Sequence, residues 1–326
     1  MVDVIIIGGG PCGLATGLSL QEKGISYIIL EKEALVNSIV NCPADMRFYS
    51  TSDRLEIGRT PFITQEARPT RSELLKYYRL VTERQELNVH CYQNVIGIST
   101  SSELFTVQAV DDKGNQNTYH SKFVVVATGI YDNPRKLYIP GEDLDKVKYY
   151  YTEGHSYYRR QVTVIGGKNS AIEAAIDLYR CGAQVTLVQR GESAHVGIKP
   201  YLIPDIRNLV EKGRIKFYPL SHVDEITHST VSIRTPTEQV SIQNDIVFSL
   251  IGYRPDLSLL SQAGVQMDAA TSVPYYRADT YESNVSNLFL AGVVTGGTTN
   301  RVYIEDGRFH GEKIAEEIQK RLLVSV

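Results

Sequence analysis

Apolar residues are grouped along this chain in short runs that close on glycine or on a charged residue. Val4-Ile5-Ile6-Ile7 has no polar alternation, which predicts a parallel strand buried on both faces. Glycines follow at 8, 9, 10 and 13, and a helix is predicted over about Cys12–Lys23 with Leu14, Leu18 and Leu20 as apolar positions. Gly24 stands where a helix end favours left-handed backbone. Tyr27–Leu30 is a second apolar run that ends on Glu31. Together these predict a strand-helix-strand unit within about thirty residues.

The next stretch, Glu33–Phe62, has weak periodicity and holds Asn37, Ser38, Pro43, Ser50-Thr51-Ser52, Gly58 and Pro61. An irregular segment of this length inside a compact domain is usually functional. Thr70-Arg71-Ser72-Glu73 has the form of a capping box and predicts a helix to about Gln85. Strands are predicted around Val89–Tyr92, Val95–Thr100, Phe105–Val110 and Phe123–Ala127, the last leading into Thr128-Gly129. Beyond Pro140-Gly141 the pattern restarts. Val162–Ile165 reads as a strand, Gly166-Gly167-Lys168 as a turn, Asn169–Arg180 as a helix and Val185–Val188 as a strand. The same arrangement therefore occurs twice, about 160 residues apart, as a duplicated architecture and not a short solenoid repeat. Further strands are predicted at Ile215–Tyr218, Thr230–Arg234, Asp245–Leu250 and Asn287–Ala291, and one final helix at Ile304–Leu323.

Composition narrows the class. Of 326 residues 42% are hydrophobic and 22% charged, which excludes a disordered chain. A net charge of −3 argues against a nucleic-acid scaffold. Asp3 precedes a short apolar run, unlike a signal peptide, and no stretch reaches the roughly 18 apolar residues of a membrane span. Cysteines stand at 12, 42, 91 and 181 with no Cys-x-x-Cys. That excludes a zinc ribbon or a local dithiol motif and fits a reducing cytoplasm. No metal, nucleic acid or membrane is expected as a partner.

The first glycine loop is Gly8-x-Gly10-x-x-Gly13. Its glycines allow the tight turn, the approach of a pyrophosphate to the backbone, and close helix–strand packing. Glu31 lies 18 residues past Gly13, where a carboxylate can bind ribose hydroxyls. The second loop, Gly166-Gly167-Lys168-Asn169-Ser170-Ala171, carries Lys168 where the middle glycine would be. Read as the end of the following strand, Arg190 replaces the acid, and an arginine there accommodates the 2′-phosphate of NADPH. Two such loops imply electron transfer between two dinucleotides, read as FAD and NADPH.

These pieces in this order resemble the two-dinucleotide-binding flavoproteins of the thioredoxin-reductase type. Gly8–Gly13, Ala127-Thr128-Gly129, Gly166–Ala171, Ile251-Gly252-Tyr253-Arg254-Pro255-Asp256 and Leu290-Ala291-Gly292-Val293 carry the likeness. Phe48-Tyr49-Ser50-Thr51-Ser52 and Ile304-Glu305-Asp306-Gly307-Arg308-Phe309-His310-Gly311 are similar to the bacillithiol-disulfide reductase-like branch. The resemblance implies an α/β fold of two Rossmann-like, three-layer domains, the NADPH domain (142–252) inserted into a discontinuous FAD domain (1–141 and 253–326). It implies FAD at Gly8, Gly10, Pro11, Cys12, Gly13, Glu31, Lys32, Ser38, Thr128, Gly129, Gly292 and Val293. NADPH falls to Gly166, Gly167, Lys168, Asn169, Ser170, Ala171 and Arg190. The last helix would aim its N-terminus at the flavin, where its dipole stabilises negative charge. The activity implied is NADPH-dependent reduction of a low-molecular-weight disulfide, bacillithiol disulfide, in redox homeostasis, with homo-oligomerisation left open.

Two departures stand out. The family's shuttling Cys-x-x-Cys is missing, and Val293 occupies the place of an Asp that bonds the ribityl chain in many relatives. Cys12 has two readings. A helix start favours a reactive thiolate that could form a mixed disulfide, whereas a neighbouring pyrophosphate opposes one and cysteine packs well as a small hydrophobe. Cys42 stands eleven residues past Glu31, where some disulfide reductases place a redox pair, but alone it makes no dithiol; Cys91 and Cys181 are read as structural. His155, among Tyr149-Tyr150-Tyr151 and Tyr157-Tyr158, is a candidate proton donor or a structural histidine. Without a dithiol, three other outcomes stay open: a ferredoxin or flavodoxin reductase, a flavin monooxygenase, and a redox-sensing flavoprotein.

Overall fold

A computed structural model of the chain describes residues 1–101, 104–194, 196–299 and 302–324. The elements that frame the two loops are, in chain order, β1 (Val4–Ile7), α1 (Pro11–Glu22), β2 (Tyr27–Leu30), β3 (Phe123–Val126), β4 (Gln161–Ile165), α2 (Asn169–Arg180), β5 (Gln184–Val188), β6 (Leu288–Leu290), α3 (Ile304–Gly307) and α4 (His310–Val324). The chain forms two compact units. One comprises Met1–Val40, Met46–Asn133 and Arg254–Val326, the other Asn41–Asp45 and Pro134–Tyr253.

The first unit is built on a five-stranded parallel sheet in the order β6-β3-β1-β2-(Val89–His90). β1 is buried along its whole length, and its side chains alternate between two cores. Val4 and Ile6 join Leu14, Leu18, Leu74 and Ile314 on the helical face. Ile5 and Ile7 join Val95, Phe105 and Val107 on the face covered by an antiparallel three-stranded meander, Gln93–Ser121. Each such buried branched side chain contributes roughly 2 kcal/mol. An all-apolar run is what a strand with two buried faces requires.

The second unit repeats the plan. Its parallel sheet has the order (Lys216–Tyr218)-β5-β4-(Ile246–Ser249)-(Val147–Lys148), beside an antiparallel meander of His222–Ile226, Thr230–Arg234 and Gln239–Gln243. α2 packs Ala171, Ile172, Ala175 and Leu178 on one side of the sheet. In both units the chain leaves the central strand in one direction and later returns on its other side. The turn after β1, and that after β4, therefore lies at a topological switch point, where open α/β sheets bind ligands.

Most predicted elements agree to within two or three residues. The capping box is present, with Thr70 and Glu73 bonding each other's backbone N–H. The predicted final helix is instead two helices, α3 and α4, interrupted at Arg308-Phe309. At the interruption Arg308 Nη1 donates to the carbonyls of Asp53 (2.9 Å) and Glu56 (2.6 Å). Among the described residues, no helix is long and apolar enough to cross a membrane.

Candidate cofactor loops and redox site

The first loop is a tight turn from β1 into α1. Gly8 N–H donates to the Leu30 carbonyl at 2.8 Å, and its φ of +111° with the Ala127 carbonyl against it excludes a side chain. Gly13 packs its Cα against the Gly8 carbonyl, which brings α1 onto the strand. Gly10 is different. As the N-cap of α1 it has φ −76° and ψ 176°, open to any residue, and a Cβ there would meet no protein atom within 4 Å. Nothing among the described residues explains why Gly10 lacks a side chain, whereas a phosphate drawn up to the backbone N–H groups of a helix start does. Pro11 is at N1, where its missing N–H costs nothing.

Glu31, immediately after β2, is 7% exposed. Its carboxylate accepts from Gly9 N–H at 2.6 Å and from Glu33 N–H at 3.0 Å. Burial raises its pKa, opposed by these two backbone bonds and by Lys32, with Asp132 adding to the rise. Lys32 pairs with Asp132 at 3.2 Å. Ser38 is half-buried on the short helix Asn37–Val40. Thr128, just past β3, keeps a buried hydroxyl with no bonding partner among the described residues, and Gly129 beside it faces open space. A buried orphan hydroxyl and an open glycine at the switch point are what a bound nucleotide would complete.

Cys12 lies on this loop, but its sulfur is enclosed. A Cβ on Gly292 would come within 2.8 Å of Sγ and one on Gly307 within 2.7 Å. Both glycines therefore make room for the cysteine. Burial pushes the Cys12 thiol up to about 12, which opposes the lowering expected of a helix start. Val293, after Gly292, is half-buried at the start of a 3-10 stretch. His310 is not distinguished as a site residue by the sequence pattern. It is 6% exposed, stacks on Tyr281 at 3.9 Å, and its Nδ1 accepts the Gly292 N–H at 3.2 Å. That bond fixes the Nε2–H tautomer, and burial lowers its pKa to about 4.

In the second unit Gly166 N–H donates to the Val188 carbonyl at 2.9 Å, repeating the Gly8 bond. Lys168 caps α2, with its ammonium lying over Gly197. Asn169 Oδ1 accepts the Lys199 N–H at 2.8 Å, and Lys199 Nζ reaches Glu173 at 3.3 Å. Ser170 is exposed and Ala171 fully buried. Arg190 is exposed, but β5 ends on Val188, so Arg190 is not at the strand end as the sequence reading has it. The residue there is Gln189. His155 is exposed on a single 3-10 turn of the second unit, whereas Cys12 belongs to the first.

A switch-point loop with an open glycine in one unit, repeated in a second unit, is the layout of a two-nucleotide oxidoreductase, and sequence similarity supports it. The family profile of the pyridine nucleotide-disulphide oxidoreductases matches residues 5–292. The chain belongs to the pyridine nucleotide-disulphide oxidoreductase family. It is an oxidoreductase that works with a flavin and a nicotinamide nucleotide. Bacilliredoxin reductase Bdr of Bacillus subtilis (strain 168) is 41% identical over 320 residues, 97% of each chain. The structure of bacillithiol disulfide reductase Bdr (YpdA) from Bacillus cereus has 44% identity and a TM-score of 0.95, covering 98% of this chain and 99% of that one. Thioredoxin reductase of Lactococcus lactis, at 22% identity and a TM-score of 0.77 over the whole of both chains, shares the fold. The thioredoxin-reductase-like fold and the Bdr-like branch are thus both present, without the Cys-x-x-Cys of the former.

Proposed function

We propose that the chain is an FAD-containing, NADPH-dependent reductase of bacillithiol disulfide, acting in the reducing cytoplasm. What carries the reading is likeness to Bdr proteins over nearly the whole chain, joined to two nucleotide loops and no dithiol motif. FAD is assigned to the first unit, through Gly8, Gly10, Pro11, Gly13, Glu31, Lys32, Ser38, Thr128, Gly129, Gly292 and Val293. NADPH is assigned to the second, through Gly166–Ala171 and Arg190. When bound, the two cofactors pass an electron pair from NADPH by way of the flavin to the disulfide.

The chain's own part is to hold them. The backbone N–H groups at the start of α1 neutralise phosphate, and Glu31 holds the loop through Gly9. Cys12 is proposed as the residue that meets the disulfide, a role its enclosed sulfur, held by burial as a thiol, can take only once that sulfur is uncovered. It alone of the four cysteines stands on the first loop, and its sulfur lies against the Gly292 turn. His155, exposed on its 3-10 turn, is assigned no step.

The test is anaerobic. NADPH is mixed with the purified yellow protein, and each acceptor is then added to the reduced form. Bacillithiol disulfide is expected to restore the oxidised flavin spectrum, and Cys12→Ala is expected to keep reduction by NADPH while losing that reoxidation. Reoxidation by a ferredoxin or flavodoxin alone would replace the disulfide reading with the one-electron reading that a missing dithiol also permits.

A further inference from the structure

The duplicated architecture allows the second unit to be read residue by residue against the first. Gly8 donates to Leu30, and Gly166 donates to Val188. Ile7 pairs with Leu30 and Ile165 with Val188 in the same parallel register. The next residue bonds outward to the following strand in both units, Glu31 N–H to His90 at 2.9 Å and Gln189 N–H to Tyr218 at 3.1 Å. A Cβ on Gly9 would meet the Glu31 side chain, and one on Gly167 would meet that of Gln189. These matches make Gln189 the counterpart of Glu31 and Arg190 the counterpart of Lys32.

The two counterparts behave differently. Both carboxylate oxygens of Glu31 are taken by backbone N–H groups. Gln189 is 5% exposed, and its Nε2 donates to the Gly191 carbonyl at 3.2 Å. That carbonyl needs a donor, so it fixes the amide orientation and leaves Oε1 facing the loop. Oε1 is buried and has no bonding partner among the described residues. Leaving a buried acceptor unmade is costly, and it stands where this class of fold meets a ribose.

We propose that Gln189 is a determinant of nucleotide choice: its amide oxygen takes a ribose hydroxyl, and its neutrality lets Arg190 hold a 2′-phosphate that a carboxylate at this place would repel. The proposal rests on reading the second unit as the nicotinamide-nucleotide domain. It shifts selectivity from Arg190 alone to a pair in which the neutral residue admits the phosphate and the cation binds it.

The experiment measures binding of NADP⁺ and NAD⁺ to the flavin-loaded protein by calorimetry, since neither oxidised nucleotide reduces the flavin. The unsubstituted protein is expected to prefer NADP⁺. Gln189→Glu should weaken NADP⁺ on the order of tenfold, the effect of one nearby like charge, while NAD⁺ binds as well or better. Gln189→Ala keeps neutrality and removes the acceptor, so it should weaken both nucleotides by a similar factor and preserve their ratio. Arg190→Ala should weaken NADP⁺ alone. A thermal melt of each variant checks that it is folded. A Gln189→Glu ratio within about twofold of the original, or a Gln189→Ala variant that binds both unchanged, overturns the proposal. Binding of neither nucleotide by the unsubstituted protein overturns the domain reading itself, which separates the two failures.

Discussion

At the scale of single residues, Gly8 and Gly10 are two positions apart and far apart in cause. Gly8 is required by the chain: its positive φ and the Ala127 carbonyl leave no place for a Cβ. Gly8→Ala should lower stability by roughly 2 kcal/mol or more, read by denaturant unfolding of the flavin-free protein. Gly10 is required by nothing among the described residues, since its φ is ordinary and its Cβ direction is open. Gly10→Ala should leave the flavin-free melting temperature unchanged and weaken flavin retention by about tenfold, the worth of one weakened hydrogen bond to a charged group. Flavin absorbance per protein after gel filtration reads the second effect. Equal losses of stability from both variants would remove the argument that Gly10 faces a ligand. Glu31 carries a similar lesson. Spacing places a carboxylate near the loop, but only the folded chain reveals that it bonds Gly9 N–H.

At the scale of elements, α1 and α4 approach closely because small residues line their contact. The Gly311 Cα lies where a Cβ would sit 2.5 Å from the Thr16 Cα, and Gly307 similarly meets Cys12 and Gly292. Helix propensity alone favours alanine over glycine by about 1 kcal/mol, but overpacking costs about 1–3 kcal/mol, and here the obstruction is backbone. Gly311→Ala should therefore destabilise, lowering the melting temperature by a few degrees. A rise would mean that the helices can separate freely. The buried parallel strands are legible because apolar runs such as Val4–Ile7 and Phe123–Val126 have one stable use. α2 is legible from its apolar spacing. The break between α3 and α4 is not, because Ile304–Leu323 keeps helical composition and the cause lies in Arg308 bonding carbonyls some 250 residues earlier. The helix Ile203–Glu211 is also hidden: prolines at 200 and 204 punctuate it and Ile206 is its buried anchor. The position of Arg190 slips by one for a related reason, since strand ends are set by pairing, and β5 closes on Val188.

At the scale of the whole molecule, one plan used twice gives two loops with different chemistry, and the electron entry is far more legible than the exit. Glycine spacing has a backbone cause that survives translation into structure, whereas a single cysteine has none. Cys12 shows the difficulty: helix position argues for a thiolate, and burial against Gly292 and Gly307 argues more strongly for a thiol. His310, which accepts the Gly292 N–H, makes this region sensitive to acid. Burial lowers its pKa from 6.5 to about 4, with Asp306 acting in the opposite direction and Lys313 in the same one. The unfolded chain takes up a proton below its ordinary value while the folded protein does not until near the lowered one, so stability is full above about pH 6.5 and falls as pH drops toward 4. The loss over that window is on the order of 3 kcal/mol. His310→Asn keeps an acceptor for Gly292 N–H, removes the titration and gives up the Tyr281 stack. It should melt lower at pH 7.5 and yet lose less between pH 6.5 and 4.5, so the two curves converge as the solution is acidified. Parallel curves, measured in matched buffers at constant ionic strength, would assign the acid sensitivity to the carboxylates instead.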